Sequence, residues 1–212
     1  MEVFERARSV EAKQERERAI LTAARALAVE RGVREITLTD IAAAIGMHKS
    51  ALLRYFETRE QIYLRLTAAE WRDWGPAVRA RLADARTPAE IAAAFASTLV
   101  ARPLFCDLLA HTPLNLERNV SLDSVREFKL VTHDEVDRII AELRRILPAL
   151  GAEAALDVVA TATSLAGAQW QMANPGEEVA ALYRSDPRLG HAIVEVEPRL
   201  VRVLTAQLQG SL

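Results

Sequence analysis

Apolar residues recur along most of this chain at the three- and four-residue spacing of helices, and the polar residues between them mark helix starts and stops. Ile20, Ala24, Leu27 and Ala28 share one face of a long first helix that should end at Gly32, a residue that readily turns left-handed. Its forepart, Met1 to Arg18, alternates acids and bases and reads as a solvated extension or as an arm that touches DNA. Thr37-Leu-Thr-Asp40 supplies a hydroxyl cap and an acid for the positive end of the next helix. Leu38, Ile41, Ala42 and Ile45 form that short helix's apolar stripe, and Gly46 turns the chain sharply after it. A second short helix, Lys49 to Phe56, turns Leu52 and Phe56 inward, has Met47 near its entry, and leaves Lys49, Ser50, Leu53 and Arg54 on the opposite face.

Thr58-Arg-Glu-Gln61 fits a capping box and opens a long helix through Leu64 and Trp71 toward Leu82, with Gly75-Pro76 as a point of kink or break. Thr87-Pro88-Ala89-Glu90 opens a helix that stops near Ala101, ahead of Pro103. A short helix at Leu104 to His111, a loop holding Pro113 and Asn115, and a long helix from Ser121 to Leu147 follow, the last closed by Pro148 and Gly151. Two more helices, Ala152 to Ala173 and Glu195 to Leu208, flank an irregular segment containing Pro175, Gly176, Pro187 and Gly190. The pattern predicts an all-α fold: a three-helix head over residues 1–60 and a larger helical body over residues 61–212.

Composition agrees with helix-on-helix packing, since 50% of the 212 residues are apolar but only 5% are aromatic. The net charge of -2 announces no nucleic-acid partner by itself, so any case for DNA rests on local arrangement. The single Cys106 excludes an internal disulfide and a thiolate zinc site, and fits a reducing cytoplasm. No secretion signal is read at the N-terminus, and no membrane span is expected. The uncharged stretch Val158 to Gly176 carries Thr161, Thr163, Ser164, Gln169, Gln171 and Asn174 and reads as a buried helix.

Two short helices about a glycine turn, the second with one apolar and one polar face, are the makings of a helix-turn-helix. The first would prop the second so that Lys49, Ser50, Ala51 and Leu53 enter a major groove, whose base edges only a protruding element reaches. Thr37-Leu-Thr-Asp-Ile-Ala-Ala-Ala-Ile-Gly46, Met47-His-Lys-Ser-Ala-Leu-Leu-Arg-Tyr-Phe56 and Thr58-Arg-Glu-Gln-Ile62 together resemble the TetR family of bacterial regulators. The resemblance implies a homodimer on a roughly palindromic double-stranded DNA operator, with Thr37, Thr39, Lys49, Ser50, Ala51, Tyr55 and Arg59 at contact positions. It is not complete. Leu53 replaces the family's usual phosphate-touching tyrosine, His48 its usual serine, and Arg59 its frequent lysine. Leu53 is thereby placed to meet a thymine methyl, and His48 joins the candidate contacts.

For the body, the same resemblance implies that residues 152–173 and 195–208 pair with their symmetry mates in a four-helix interface. Ala160, Ser164, Gly167 and Gln171 lie on one face whose small residues permit close approach, although a helix buried within its own chain would look alike. A small, largely apolar effector would need an apolar cavity with a few polar groups. Trp71, Trp74, Phe95, Phe105, His111, Asn115, Phe128, Thr132 and Trp170 are the candidates, with ordinary core as their alternative.

Two rival readings remain at this point. His111 with Asp107 and His133 with Asp137 sit four residues apart, a spacing open to metal binding or general-base chemistry and equally to ion pairs. No phosphate loop, nucleophile elbow or zinc-helix motif accompanies them, so no enzyme, metal or cofactor is expected. The other rival is a structural DNA-binding protein that senses nothing. The usual outcome in the resembled family is repression.

Overall fold

The computed structural model describes the backbone of residues 2–192 and 194–212, with side chains from Glu11 to Gly190 and from Val194 onward. The first part of the acid-and-base forepart, Met1 to Val10, lies outside the described side chains. Ten α-helices and no strand occur among the described residues, as the periodicity predicts.

Helix α1 (Glu2–Arg31) buries Ile20, Ala24 and Ala28 and ends as the Gly32 amide donates to the Ala28 carbonyl at 2.8 Å. Gly32 has φ 84°, a conformation that side-chain-bearing residues rarely hold. The chain then makes a short 3-10 turn (Val33–Glu35) into α2 (Leu38–Ala44) and α3 (Lys49–Leu52). α3 is shorter than the Lys49 to Phe56 helix expected. Beyond Leu52 three-residue bonds, Arg54 to Ala51 and Tyr55 to Leu52, mix with a four-residue bond from Phe56 to Leu52 as the chain bends toward the next helix. Leu52 and Phe56 are both buried, and the head packs around them with Ile20, Ile36 and Ile41.

The body begins with α4 (Arg59–Leu82), followed by α5 (Pro88–Val100), α6 (Pro103–His111), a π turn (Thr112–Leu116), α7 (Leu122–Ile146), α8 (Ala152–Ala173), α9 (Glu177–Ser185), a 3-10 turn (Pro187–Ala192) and α10 (Val196–Gly210). Its principal pairings are α4 with α7, α6 with α8, and α10 with α5. α4 runs as one helix through Gly75 and Pro76, so of the kink or break expected there the break does not occur. α9 stands where the pattern predicts only an irregular segment: its Val179 and Leu182 face outward, and it buries no residue, so it carries no core-facing stripe. α8 buries Val158, Val159, Ala162 and Ala166, the protein core expected for its uncharged stretch. Among the described residues no single helix is long and apolar enough to cross a membrane.

Candidate nucleic-acid interface

The first helix of the motif is fixed by a reciprocal cap. The Thr37 hydroxyl accepts from the Asp40 amide at 3.2 Å, while the Asp40 carboxylate accepts from the Thr37 amide at 2.8 Å and the Thr37 hydroxyl at 2.6 Å. These bonds, with Arg31 beside them, hold the Asp40 carboxyl below the usual carboxylate range. Gly46, at φ 65°, turns the chain between the two helices, and the Met47 amide returns to the Ala42 carbonyl at 2.8 Å. Thr37, Thr39, His48, Lys49, Ser50 and Leu53 are exposed around this turn; Ala51 and Tyr55 are half-buried, with Tyr55 packed on the core. Leu53 is 45% exposed, a large apolar side chain held in water on the face that would meet a groove.

Arg59 does not join them. Expected as an exposed contact, its side chain is only 21% exposed, and its guanidinium donates to the carbonyls of Ile36 at 2.9 Å, Arg34 at 3.1 Å and Val33 at 3.4 Å. It pairs with Glu60 and sits 5.8 Å from the Tyr63 ring centre. All three carbonyls meet one guanidinium nitrogen, Nη1, while Nε and Nη2 face Glu60. Arg54, placed by the sequence on the polar face but not among the contact candidates, is a further candidate. It is exposed and, like Lys49, has no ion-pair partner among the described residues. Its place two residues beyond Leu52, on the polar face, was the available signal.

Polar side chains join the head to the body. The Ser121 amide donates to Glu57 at 3.1 Å, and beside it Gln61, at the start of α4, donates to Ser124 of α7 at 2.9 Å. Buried Glu70 of α4 takes Arg25 from α1 and, at 3.6 Å, Arg102 from the start of α6. Between the end of α1 and the body lies a cleft of about 530 Å³, bounded by Gly32, Val33, Asp107, His111, Trp170 and Gln171.

The candidate effector residues divide. Trp71, Trp74, Phe95 and Phe105 are buried with ring centres 5.3 to 5.9 Å apart, mostly edge to face, and Trp74 donates to Thr98 at 3.1 Å. They pack on one another as a buried aromatic core. Phe128 borders a crevice of about 20 Å³ between α4 and α7, room for about one water. His111 and Trp170 line the larger cleft. Asn115 and Thr132 each keep a buried side-chain oxygen without a hydrogen-bond partner.

Of the candidate dimer residues, Ala160 and Ser164 are exposed, while Gly167 is buried against α6, where an added Cβ would stand 2.7 Å from the Ala110 nitrogen. The small residue is there for packing within the chain. The Gln171 amide also turns inward, donating to Asp107 at 2.7 Å. His133 and Asp137 are exposed, with the imidazole Nδ1 3.1 Å from the carboxylate, and no metal-binding cluster occurs among the described residues.

This arrangement defines a helix-turn-helix DNA-binding regulator. Residues 20–66 match the family model described as bacterial regulatory proteins, tetR family, and residues 68–212 match the tetracyclin repressor-like C-terminal domain. The chain therefore belongs to the TetR family, whose members are transcriptional regulators and not enzymes. Similar solved structures include the TetR-family regulator PfmR from Thermus thermophilus, with TM-score 0.57 and 18% identity over 91% of this chain and 97% of that one. The fatty acid degradation regulator FadR from Bacillus halodurans gives TM-score 0.56 and 14% identity over 92% and 95%. FadR from Bacillus subtilis in complex with stearoyl-CoA gives 0.56 and 17% over 89% and 97%. At these identities the likeness is one of fold. No curated protein matches the chain.

Proposed function

We propose that this regulator is a cytoplasmic repressor that binds a palindromic operator as a homodimer and leaves it when a small, largely apolar effector enters the body. The observation that carries the reading is the continuity of α4, which starts at the head with Arg59 and passes Trp71 and Trp74 on its way to Leu82 without a break. A stiff helix of this length moves its two ends together, so repacking around its middle displaces the head. The unpartnered oxygens of Asn115 and Thr132 favour a ligand that is apolar with one or two donors, since a buried acceptor left empty costs about 1–3 kcal/mol. The dimer would use the outer faces of α8 and α10, where Leu156, Ala160, Ser164 and Val203 are exposed.

Selection from a random DNA pool tests the first part: an enriched inverted repeat is expected, and enrichment of a single unrepeated site would overturn the dimeric reading. With the operator known, a library of hydrophobic compounds, including long-chain acyl-CoA thioesters of the kind bound in the Bacillus subtilis neighbour, tests the second. Release should come with a change in tryptophan fluorescence. A library without one active compound would favour the structural DNA-binding alternative.

A further inference from the structure

The turn that feeds the helix-turn-helix is held from two sides by two different helices. From α4, Arg59 donates to the carbonyls of Val33, Arg34 and Ile36. From α6, Asp107 accepts the Val33 amide at 2.7 Å through Oδ2. Gly32 makes this possible: its φ of 84° swings the chain away from α1 and aims the next N–H at the body. Shortly afterwards Thr37 caps α2, so little slack separates the held turn from the DNA-facing helices.

Asp107 is itself anchored. Its other oxygen accepts from Gln171 of α8 at 2.7 Å, and His111 lies 3.4 Å from the same oxygen. The carboxylate therefore joins α6, α8 and the head at one buried point. The large cleft runs beside it, with Gly32 and Val33 on the head side and His111, Trp170 and Gln171 on the body side. Among the described residues, the Val33 to Asp107 bond is the hydrogen bond that crosses this cleft.

We propose that Asp107 is a positioning residue for operator binding, which sets the angle at which the body presents each head without itself touching DNA. The proposal rests on the dimeric reading above, because an angle matters only when two heads must reach major grooves one helical turn apart, about 34 to 36 Å. Without the Asp107 bond the turn loses its hydrogen bond to α6 and keeps those from Arg59, and the head, still tied to the body through Arg25–Glu70 and Glu57–Ser121, can shift its angle against α6. Each recognition surface remains intact, but the pair no longer matches its two half-sites.

The test compares the full inverted repeat with an isolated half-site, using wild type, Asp107→Ala, Asp107→Asn and Gln171→Leu, all confirmed dimeric by sedimentation. Asp107→Ala should lose at least about tenfold in affinity for the full operator and change little on the half-site. Asp107→Asn keeps an oxygen for the Val33 amide and should stay near wild type on both. Gln171→Leu, which leaves Asp107 in place with His111 but without its α8 donor, should show the same selective loss in smaller measure and serves if Asp107→Ala does not fold. Equal losses on both DNAs would mean a damaged head, and no loss on the full operator would mean an idle contact; either overturns the proposal. If wild type gains nothing from the second half-site, the dimeric reading fails first, and this proposal with it.

Discussion

In the head, a small apolar core around Leu52 and Phe56 is framed by polar groups that fix the turns: a threonine–aspartate cap, an arginine spanning a turn, and a carboxylate reaching in from the body. In the body, aromatic and aliphatic packing sets the shape, with Trp71, Trp74, Phe95 and Phe105 as its densest part. Both are helical, but a polar scaffold fixes directions whereas an apolar core fixes volumes. A surface that must match DNA base edges needs the former, because hydrogen bonds are directional and packing is not. The two regions should therefore fail differently when altered.

The largest effect is expected in the body, at Gly167. A leucine there would drive its side chain into the α6 backbone around Ala110, which cannot rotate aside as a side chain can. Gly167→Leu should destabilise the fold by about 3 kcal/mol, read as a lower denaturant midpoint with an unchanged slope. Arg59→Ala comes next. It strips donors from three carbonyls of one turn, and at about 1.5–3 kcal/mol for bonds to a charged group it should lower both stability and operator affinity. Lys49→Ala with Arg54→Ala should leave the denaturant midpoint unchanged and weaken operator binding about tenfold or more, with a shallower dependence on salt as phosphate contacts are lost. An unaltered affinity in that double variant would show that the DNA-facing surface lies elsewhere on the head.

The same contrast explains what the sequence disclosed. The head's helices, cap and glycine turn depend on residues within about a turn of one another, and such signals are written locally. The span of α8, Ala152 to Ala173, was legible for a similar reason, as one uninterrupted apolar period. What was not legible depends on partners far along the chain. Nothing near Arg59 announces that carbonyls more than twenty residues earlier would claim its guanidinium. The stripe of Ala160, Ser164, Gly167 and Gln171 mixes an outer surface with an α6 contact, because small residues serve close approach to either neighbour. The aromatic residues named for a ligand include a buried core, since a hydrophobic pattern is the same whether space is filled by protein or by effector.

The smallest effect concerns the joint between the regions, and pH reads it. Burial pushes the Asp107 carboxyl up, but hydrogen bonds from His111, Val33 and Gln171 outweigh it and leave its pKa below the ordinary aspartate value. A group whose folded pKa is depressed adds stability above its unfolded pKa, about 3.9, and loses that contribution as pH falls through the folded value. Asp40, Glu90, Glu142 and Asp186 are depressed too, so an acid titration of wild type alone would mix several carboxylates. Subtracting the profile of Asp107→Asn removes the groups common to both proteins. The stability difference between wild type and this variant should be flat from pH 7 to about 5 and shrink steadily below about pH 4. A difference independent of pH down to about 2 would mean that the charge of Asp107 does not contribute, and that its oxygens serve the Val33 amide and Gln171 as neutral acceptors alone.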